Sequence, residues 1–320
     1  MLEGGMWIQT VENNGDMEAI IKDALNTITF KAAGKGGGGC INEGEAYFTD
    51  TGTVFVKQNR KSQARLMFDG ELESLKTIAA TNTVRVPQPI VVLDNPRGGS
   101  VLVLEYVDMK TLSKFSKQLG QQLARLHLHN SELKTKASQG FVGQEENVSY
   151  VEKFGFHVTT CCGYIPLENE WCGDWPTFFA RNRLDHQVRL VEKNCGDPEV
   201  RELWSELQLK IPKFFEGLDI QPALLHGDLW GGNIAETATG PVIFDPASFY
   251  GHHEFELGIA RMFGGFSQAF YDAYFDVIPK APGFETRNKL YQLFNYLNHW
   301  NHFGAGYRNQ SLSIMKALLK

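Results

Sequence analysis

The residues with the clearest chemical meaning form one run, His226-Gly227-Asp228-Leu229-Trp230-Gly231-Gly232-Asn233, followed twelve positions later by Asp245. Phosphoryl transfer needs a carboxylate beside the attacking hydroxyl and oxygen ligands that hold magnesium against nucleotide phosphates. Asp228 can be that base. Asn233, five positions on, and Asp245, closing the apolar stretch Val242-Ile243-Phe244, can be the metal ligands. Magnesium takes few protein oxygens and completes its shell with phosphate oxygens and water, so two such ligands suffice. His-Gly-Asp and Gly-Gly-Asn are also ordinary turn chemistry. A plain surface turn is therefore the alternative, and other elements must decide.

Those elements lie upstream in a consistent order. Lys57 ends the strand-like Val54-Phe55-Val56-Lys57, where an ammonium can reach phosphates, and Glu71 on the following helical stretch is placed to pair with it. Alone, such a pair usually belongs to a solvated face. Gly36-Gly37-Gly38-Gly39-Cys40 separates the first two expected strands, and its backbone N–H groups can approach phosphates unobstructed, although a glycine run by itself is more often a flexible loop. Leu102-Val103-Leu104-Glu105-Tyr106-Val107 reads either as the end of a core strand or as a connector offering the Glu105 carbonyl and Val107 N–H to adenine. The expected nucleotide-binding set is thus Gly37, Gly38, Gly39, Cys40, Lys57, Glu71, Glu105, Tyr106 and Val107.

The elements that must position these groups follow from periodicity. Residues 1–16 read as a loose tail, and 1–27 as that tail plus a lead-in helix. Short strands are expected at Ile28–Ala32, Ile41–Phe48, Thr53–Lys57, Ile90–Leu93 and Val101–Tyr106, with a helix carrying Leu66, Met67, Leu72, Leu75 and Ile78 between the third and fourth. After Met109 the pattern turns helical, first with the stripe Leu112, Phe115, Leu119, Leu123 and Leu126. Residues 130–150 read as a surface excursion. Further helices are expected near Trp175–Val191 and Glu199–Phe214, and a final one carries Leu290, Leu293, Leu297 and Trp300 on one side. Strands first and helices later give an α+β, two-lobed chain: an antiparallel-sheet lobe with one helix over 28–107, a mainly helical lobe over 108–320, and a cleft near 105–109.

Composition sets the limits. With 320 residues, 42% of them hydrophobic, the chain can bury a large core. A net charge of -6 gives no basic surface for nucleic acid or an anionic membrane, so neither partner is expected. No apolar window approaches the roughly 18 residues that span a bilayer, and no secretory pattern opens the chain, so a cytoplasmic location is expected. The five cysteines (Cys40, Cys161, Cys162, Cys172, Cys195) include no C-x-x-C pair and read as reduced thiols. Neighbouring Cys161 and Cys162 would bridge only through a strained ring, so they are expected to pack.

The chain resembles the fructosamine/ketosamine-3-kinase family, a branch of the aminoglycoside phosphotransferase-like kinases, from about residue 28 to Lys320. The resemblance rests on Gly38-Gly39-Cys40-Ile41, Val54–Lys57, Met67-Phe68-Asp69-Gly70-Glu71, Lys153-Phe154-Gly155-Phe156-His157, Leu225–Asn233, Phe244-Asp245-Pro246-Ala247-Ser248-Phe249-Tyr250-Gly251-His252 and Leu293–Trp300. Asp245-Pro246 stands where protein kinases usually carry Asp-Phe-Gly. Thr81–Val84, Gly99–Val103 and Gly240–Phe244 look closer to the ketosamine-3-kinase subtype. The resemblance implies a bilobal protein-kinase-like fold and ATP- and Mg2+-dependent phosphorylation of the 3-hydroxyl of a ketoamine on glycated lysine, glycated protein or a free amine. A 3-phosphate can then leave by elimination and release the amine. In that frame Trp230 would stack on the sugar or pack in the core, and His299 would bond a sugar hydroxyl or serve structure. Trp171, Trp175, Phe178 and Phe179 are expected in the core before any pocket wall, and Glu256 resembles the buried carboxylate that braces the catalytic loop of related kinases.

Two rival readings remain: a kinase of the same fold acting on choline or an aminoglycoside, and a silent kinase-like scaffold controlled by Cys40. Lys57, Asp228, Asn233 and Asp245 are all present, which weighs against the scaffold. Cys40, near phosphate-binding N–H groups and Lys57, is expected to have an activated thiol, and the resemblance also implies redox sensitivity there. A monomer that becomes a Cys40-linked homodimer on oxidation is therefore predicted. On non-reducing gels the dimer should vanish in Cys40→Ala; its persistence would exclude Cys40 as the link.

Overall fold

A computed structural model of the chain describes residues 8–36, 42–139 and 149–320. Helix α1 (Ile8–Ala24) leads into β1 (Lys31–Gly36), β2 (Glu43–Thr49) and β3 (Gly52–Asn59). Helix α2 (Ala64–Ala80) follows, then β4 (Pro89–Asp94) and β5 (Ser100–Glu105). The five strands form one antiparallel sheet in the order β1-β2-β3-β5-β4. Strand alternation sorts its residues onto two faces. Val54, Val56, Val101 and Val103 pack with Met17 and Ile21 of α1, whereas Leu102 and Leu104 join Phe68, Leu75 and Ile78 of α2 in the main core. Lys57 pairs with Leu102 in register, so it shares the α2 face. The expected loose tail is helical from Ile8: burial of Met17 and Ile21 anchors α1, and extending an existing helix is easy.

Helix α2 ties the sheet to the rest of the molecule. A side chain at Gly70 would come within 2.6 Å of the Thr159 carbonyl, so only glycine permits this approach. One turn on, the Ser74 hydroxyl donates to the Gly70 carbonyl at 2.7 Å and accepts from the Ser248 N–H at 3.1 Å. Glu71 is therefore carried on a helix fixed at both points.

Helix α3 (Ser116–Ser138) starts four residues after the stripe suggested. Just ahead of it, the Glu236 carboxylate accepts the N–H groups of Ser113, Lys114 and Phe115, at 2.8–3.2 Å. The same helix runs through much of the expected surface excursion, because Asn130 anchors it to the Val151 and Pro222 carbonyls; residues 140–148 lie outside the described chain. Next come the small hairpin β6 (Cys161–Cys162) and β7 (Ile165–Pro166), then α4 (Trp175–Phe178), a π-helical stretch Phe179–Asp185, α5 (His186–Cys195) and α6 (Pro198–Leu207).

Four short strands make two antiparallel pairs, β8 (Ala223–Leu225) with β11 (Phe249–Gly251) and β9 (Ile234–Glu236) with β10 (Pro241–Ile243). The run His226–Asn233 lies in the β8–β9 loop, and Asp245 lies in the β10–β11 loop. Helices α7 (Glu256–Ala260), α8 (Gln268–Phe275), α9 (Phe284–Phe303) and α10 (Arg308–Leu319) complete the chain. The helix carrying Leu290 to Trp300 is thus not the last. In α10, Leu312, Met315 and Leu318 are buried at three-residue spacing.

Candidate active site

The β8–β9 loop is held by atoms the chain brings from afar. Glu256, fully buried at the start of α7, accepts the N–H of His226 at 2.5 Å and of Gly227 at 3.1 Å. His226 Nε2 donates to the Phe244 carbonyl at 2.9 Å, which leaves Nδ1 to accept the Asp228 N–H at 3.3 Å. Burial holds this imidazole below its ordinary value, against the pull of Glu256 and Asp245, so it is neutral. Gly227 adopts φ +87°, and a Cβ there would lie 2.1 Å from the Ala247 carbonyl. The β8–β9 and β10–β11 loops are therefore stitched together, with Ala247 N–H donating to the His226 carbonyl at 2.8 Å.

These contacts bring the two carboxylates and the asparagine into one place. Asn233 Nδ2 donates to the Asp228 carbonyl at 2.9 Å and to Asp228 Oδ2 at 3.3 Å, leaving its own Oδ1 available as a ligand oxygen. Burial, then the negative charges of Asp245 and Glu256, push the Asp228 carboxyl well above the usual carboxylate range, while Asn233 pulls it back. Asp245 sits at φ +57°, a left-handed conformation an L-residue adopts at some cost. Its Oδ1 meets Lys57 Nζ at 2.9 Å.

Lys57 is buried and simultaneously touches both Glu71 carboxylate oxygens at 2.8 Å. Burial works against its charge, but Asp245 and Glu71 outweigh burial and hold the ammonium protonated. For Glu71, burial pushes the carboxyl up and Lys57 pulls it back. At the connector, the Glu105 carboxylate accepts from Arg85 at 2.9 Å and from the Gln88 N–H at 3.1 Å. Val107 is buried. Tyr106 sits between them, while Gly37, Gly38, Gly39 and Cys40 lie outside the described residues.

Trp230 and His299 converge through a residue that sequence reading missed. The Trp230 indole lies over Gly232, where any Cβ would meet it at 2.3 Å, and its ring is 6.0 Å from that of Phe263. Phe263 in turn is 4.9 Å from the His299 ring. His299 Nδ1 donates to the Asn295 carbonyl at 2.7 Å, so Nε2 is an acceptor. Trp175, Phe178 and Phe179 are in the core, whereas Trp171 is exposed. Cys162 is buried and its thiol raised by burial and then by Asp228; burial pushes Cys161 up to about 12. Both are free.

The sequence profile of the fructosamine kinases matches residues 14–320. The chain belongs to the fructosamine kinase family. It is 57% identical to mouse ketosamine-3-kinase over 309 residues, 95% of this chain and all of that one. A crystal structure from Thermobifida fusca designated a fructosamine-3-kinase superposes with TM-score 0.76 at 25% identity, covering 94% and 98% of the two chains. An ADP-bound aminoglycoside phosphotransferase, at 11% identity, shares the protein-kinase-like fold with TM-score 0.56 over 96% and 97%.

The raised Asp228 carboxyl has a signed consequence. The folded chain keeps that proton at pH values where the unfolded chain has lost it, so Asp228 subtracts stability as pH rises from the ordinary carboxylate value of about 4 toward its folded value. Asp228→Asn should lower turnover by roughly 10²- to 10⁴-fold. By urea unfolding it should also gain stability relative to wild type, more at pH 8 than at pH 5; an equal difference at both would refute the raised carboxyl.

Proposed function

We propose that the protein transfers the terminal phosphoryl group of ATP to the 3-hydroxyl of a ketosamine carried by a lysine, a protein or a free amine, with ribulosamine and psicosamine as expected acceptors and fructosamine as a further one. The carrying observation is the chain of contacts that gathers Asp228, Asn233, Asp245 and the Lys57–Glu71 pair, with an exposed Trp230 two residues from the base. The name of the mouse relative supports the acceptor class. On this reading residues 28–107 bind nucleotide and 108–320 provide catalysis and acceptor binding.

Asp228 takes the proton of the 3-hydroxyl as that oxygen attacks; burial and the negative charges of Asp245 and Glu256 raise its affinity for that proton. Lys57, fixed by Glu71, orients the phosphates. Gly37, Gly38, Gly39 and Cys40, outside the described residues, would meet the phosphates, and Glu105, Tyr106 and Val107 would hold adenine. Asn233 Oδ1 and the half-exposed Asp245 carboxylate suit magnesium, and no cluster of three His, Cys, Asp or Glu that could hold a metal occurs among the described residues. Two protein oxygens plus phosphate and water match the ion's preference. When bound, the ion would neutralise phosphate charge. Trp230 stacks on the sugar and His299 accepts from a hydroxyl.

Product chemistry explains the use of such a step. Loss of the C1 proton toward the C2 carbonyl gives an enaminol, whose electron pair expels the C3 phosphate; hydrolysis then frees the amine. Phosphorylation thereby removes the sugar.

Among the described residues no helix is long and apolar enough to cross a membrane; cytoplasmic residence and the oxidised Cys40 dimer remain part of the proposal. With ATP and magnesium, ADP release should be fast with ribulose-, psicose- or fructose-lysine and near background with choline or an aminoglycoside. Faster turnover of choline or the aminoglycoside would overturn the acceptor assignment.

A further inference from the structure

Among the described residues, the strongly exposed Phe and Trp side chains are Phe48, Trp171, Trp230, Phe263 and Phe303. Three of these belong to one series of ring contacts. Trp230 (38% exposed) leans on Phe263 (43%), Phe263 packs on the His299 ring, and His299 lies 5.6 Å from Phe303, 57% exposed at the end of α9. Tyr307 closes the outer end, 5.2 Å from His299 and 6.1 Å from Phe303. Four separate segments supply these rings: the catalytic loop, the loop between α7 and α8, α9, and the turn before α10. The close approach of Gly265, whose Cβ would meet the Gly231 Cα at 2.6 Å, fixes the Phe263 loop against the catalytic loop.

An exposed apolar strip of this kind marks a binding surface, and this one starts two residues from Asp228. Its occupant must be joined to the acceptor hydroxyl. In a ketosamine the 3-hydroxyl is two carbons from C1, which bears a secondary amine, protonated at neutral pH, and then the alkyl chain of the glycated amine. An ammonium is attracted to aromatic faces, and methylenes pack against them. Neighbouring rings 5 to 6 Å apart, ending on the most exposed of them at Phe303, offer such an arm successive contacts.

We infer that Phe263 and Phe303, which flank the sugar-contacting Trp230 and His299, receive the amine-bearing arm of the acceptor and set a preference for adducts of long-chain amines such as lysine. This rests on the ketosamine reading above and goes beyond it by separating recognition of the arm from recognition of the sugar.

The test compares kcat/KM for the ribulose adduct of lysine with that for the ribulose adduct of methylamine. In Phe303→Ala the lysine-to-methylamine ratio should fall roughly 3- to 20-fold, chiefly through KM for the lysine adduct, because the C1 ammonium is common to both adducts and the methylenes are not. Phe303 is exposed at a helix end, so its truncation leaves the core intact. Phe263→Leu should lower the same ratio. Ratios within twofold of wild type in both variants overturn the inference, whether or not absolute rates fall. Wild type turning over neither adduct would instead refute the ketosamine assignment itself.

Discussion

One ammonium shared by two carboxylates holds the site together. Lys57 comes from β3, Glu71 from α2 and Asp245 from the β10–β11 loop, so the contact joins the sheet, its helix and the catalytic loops at one point. Removing one member of a buried pair leaves an uncompensated charge, at a cost of about 3–5 kcal/mol. Geometry around the pair is correspondingly constrained. Gly70 lets α2 touch Thr159, Ser74 ties α2 to Ser248, and Asp245 accepts a left-handed backbone. A strained residue held by a charge contact and its neighbours is the pattern expected where position matters more than local comfort.

The second constraint is rigidity of the loop that carries Asp228. Glu256 takes two successive N–H groups, His226 bridges to Phe244, and Gly227 fits only without a side chain. None of these atoms is proposed to touch reactants. Their effect is to let a carboxylate with a raised affinity for its proton sit at a fixed place beside Asn233, so little reorganisation is needed when a hydroxyl arrives. The Asp228 charge is disfavoured by its surroundings, and such a perturbed carboxylate is characteristic of a functional site.

Much of this was legible in the chain because it is local. Lys57 closes a strand-like run, Glu71 falls on the helical stretch that follows, and the five-residue offset of Asp228 and Asn233 needs only one loop. What sequence could not supply were partners joined over long separations. Glu236 reaches back more than 120 residues to Ser113, Ser74 finds Ser248, and Phe263 lies between Trp230 and His299. An isolated Phe in a Gly-rich loop carries no periodic signal, so Phe263 was invisible until the fold placed it. The start of α3 escaped for the same reason, since the acceptor for the N–H groups ahead of it belongs to β9. In α10, by contrast, the spacing of Leu312, Met315 and Leu318 was an available signal that the reading of a final helix at Leu290–Trp300 overlooked.

In the proposed reaction, nucleotide binding is divided between Lys57, which would meet the phosphates, and Asp245, which would serve the metal. Calorimetric titration of ATP with and without magnesium addresses it directly. Lys57→Met should weaken ATP binding in both conditions. Asp245→Asn should remove most of the magnesium-dependent gain while leaving metal-free binding equal or tighter, because Lys57 is released from its carboxylate. An Asp245→Asn protein that kept the full magnesium-dependent gain would contradict the account.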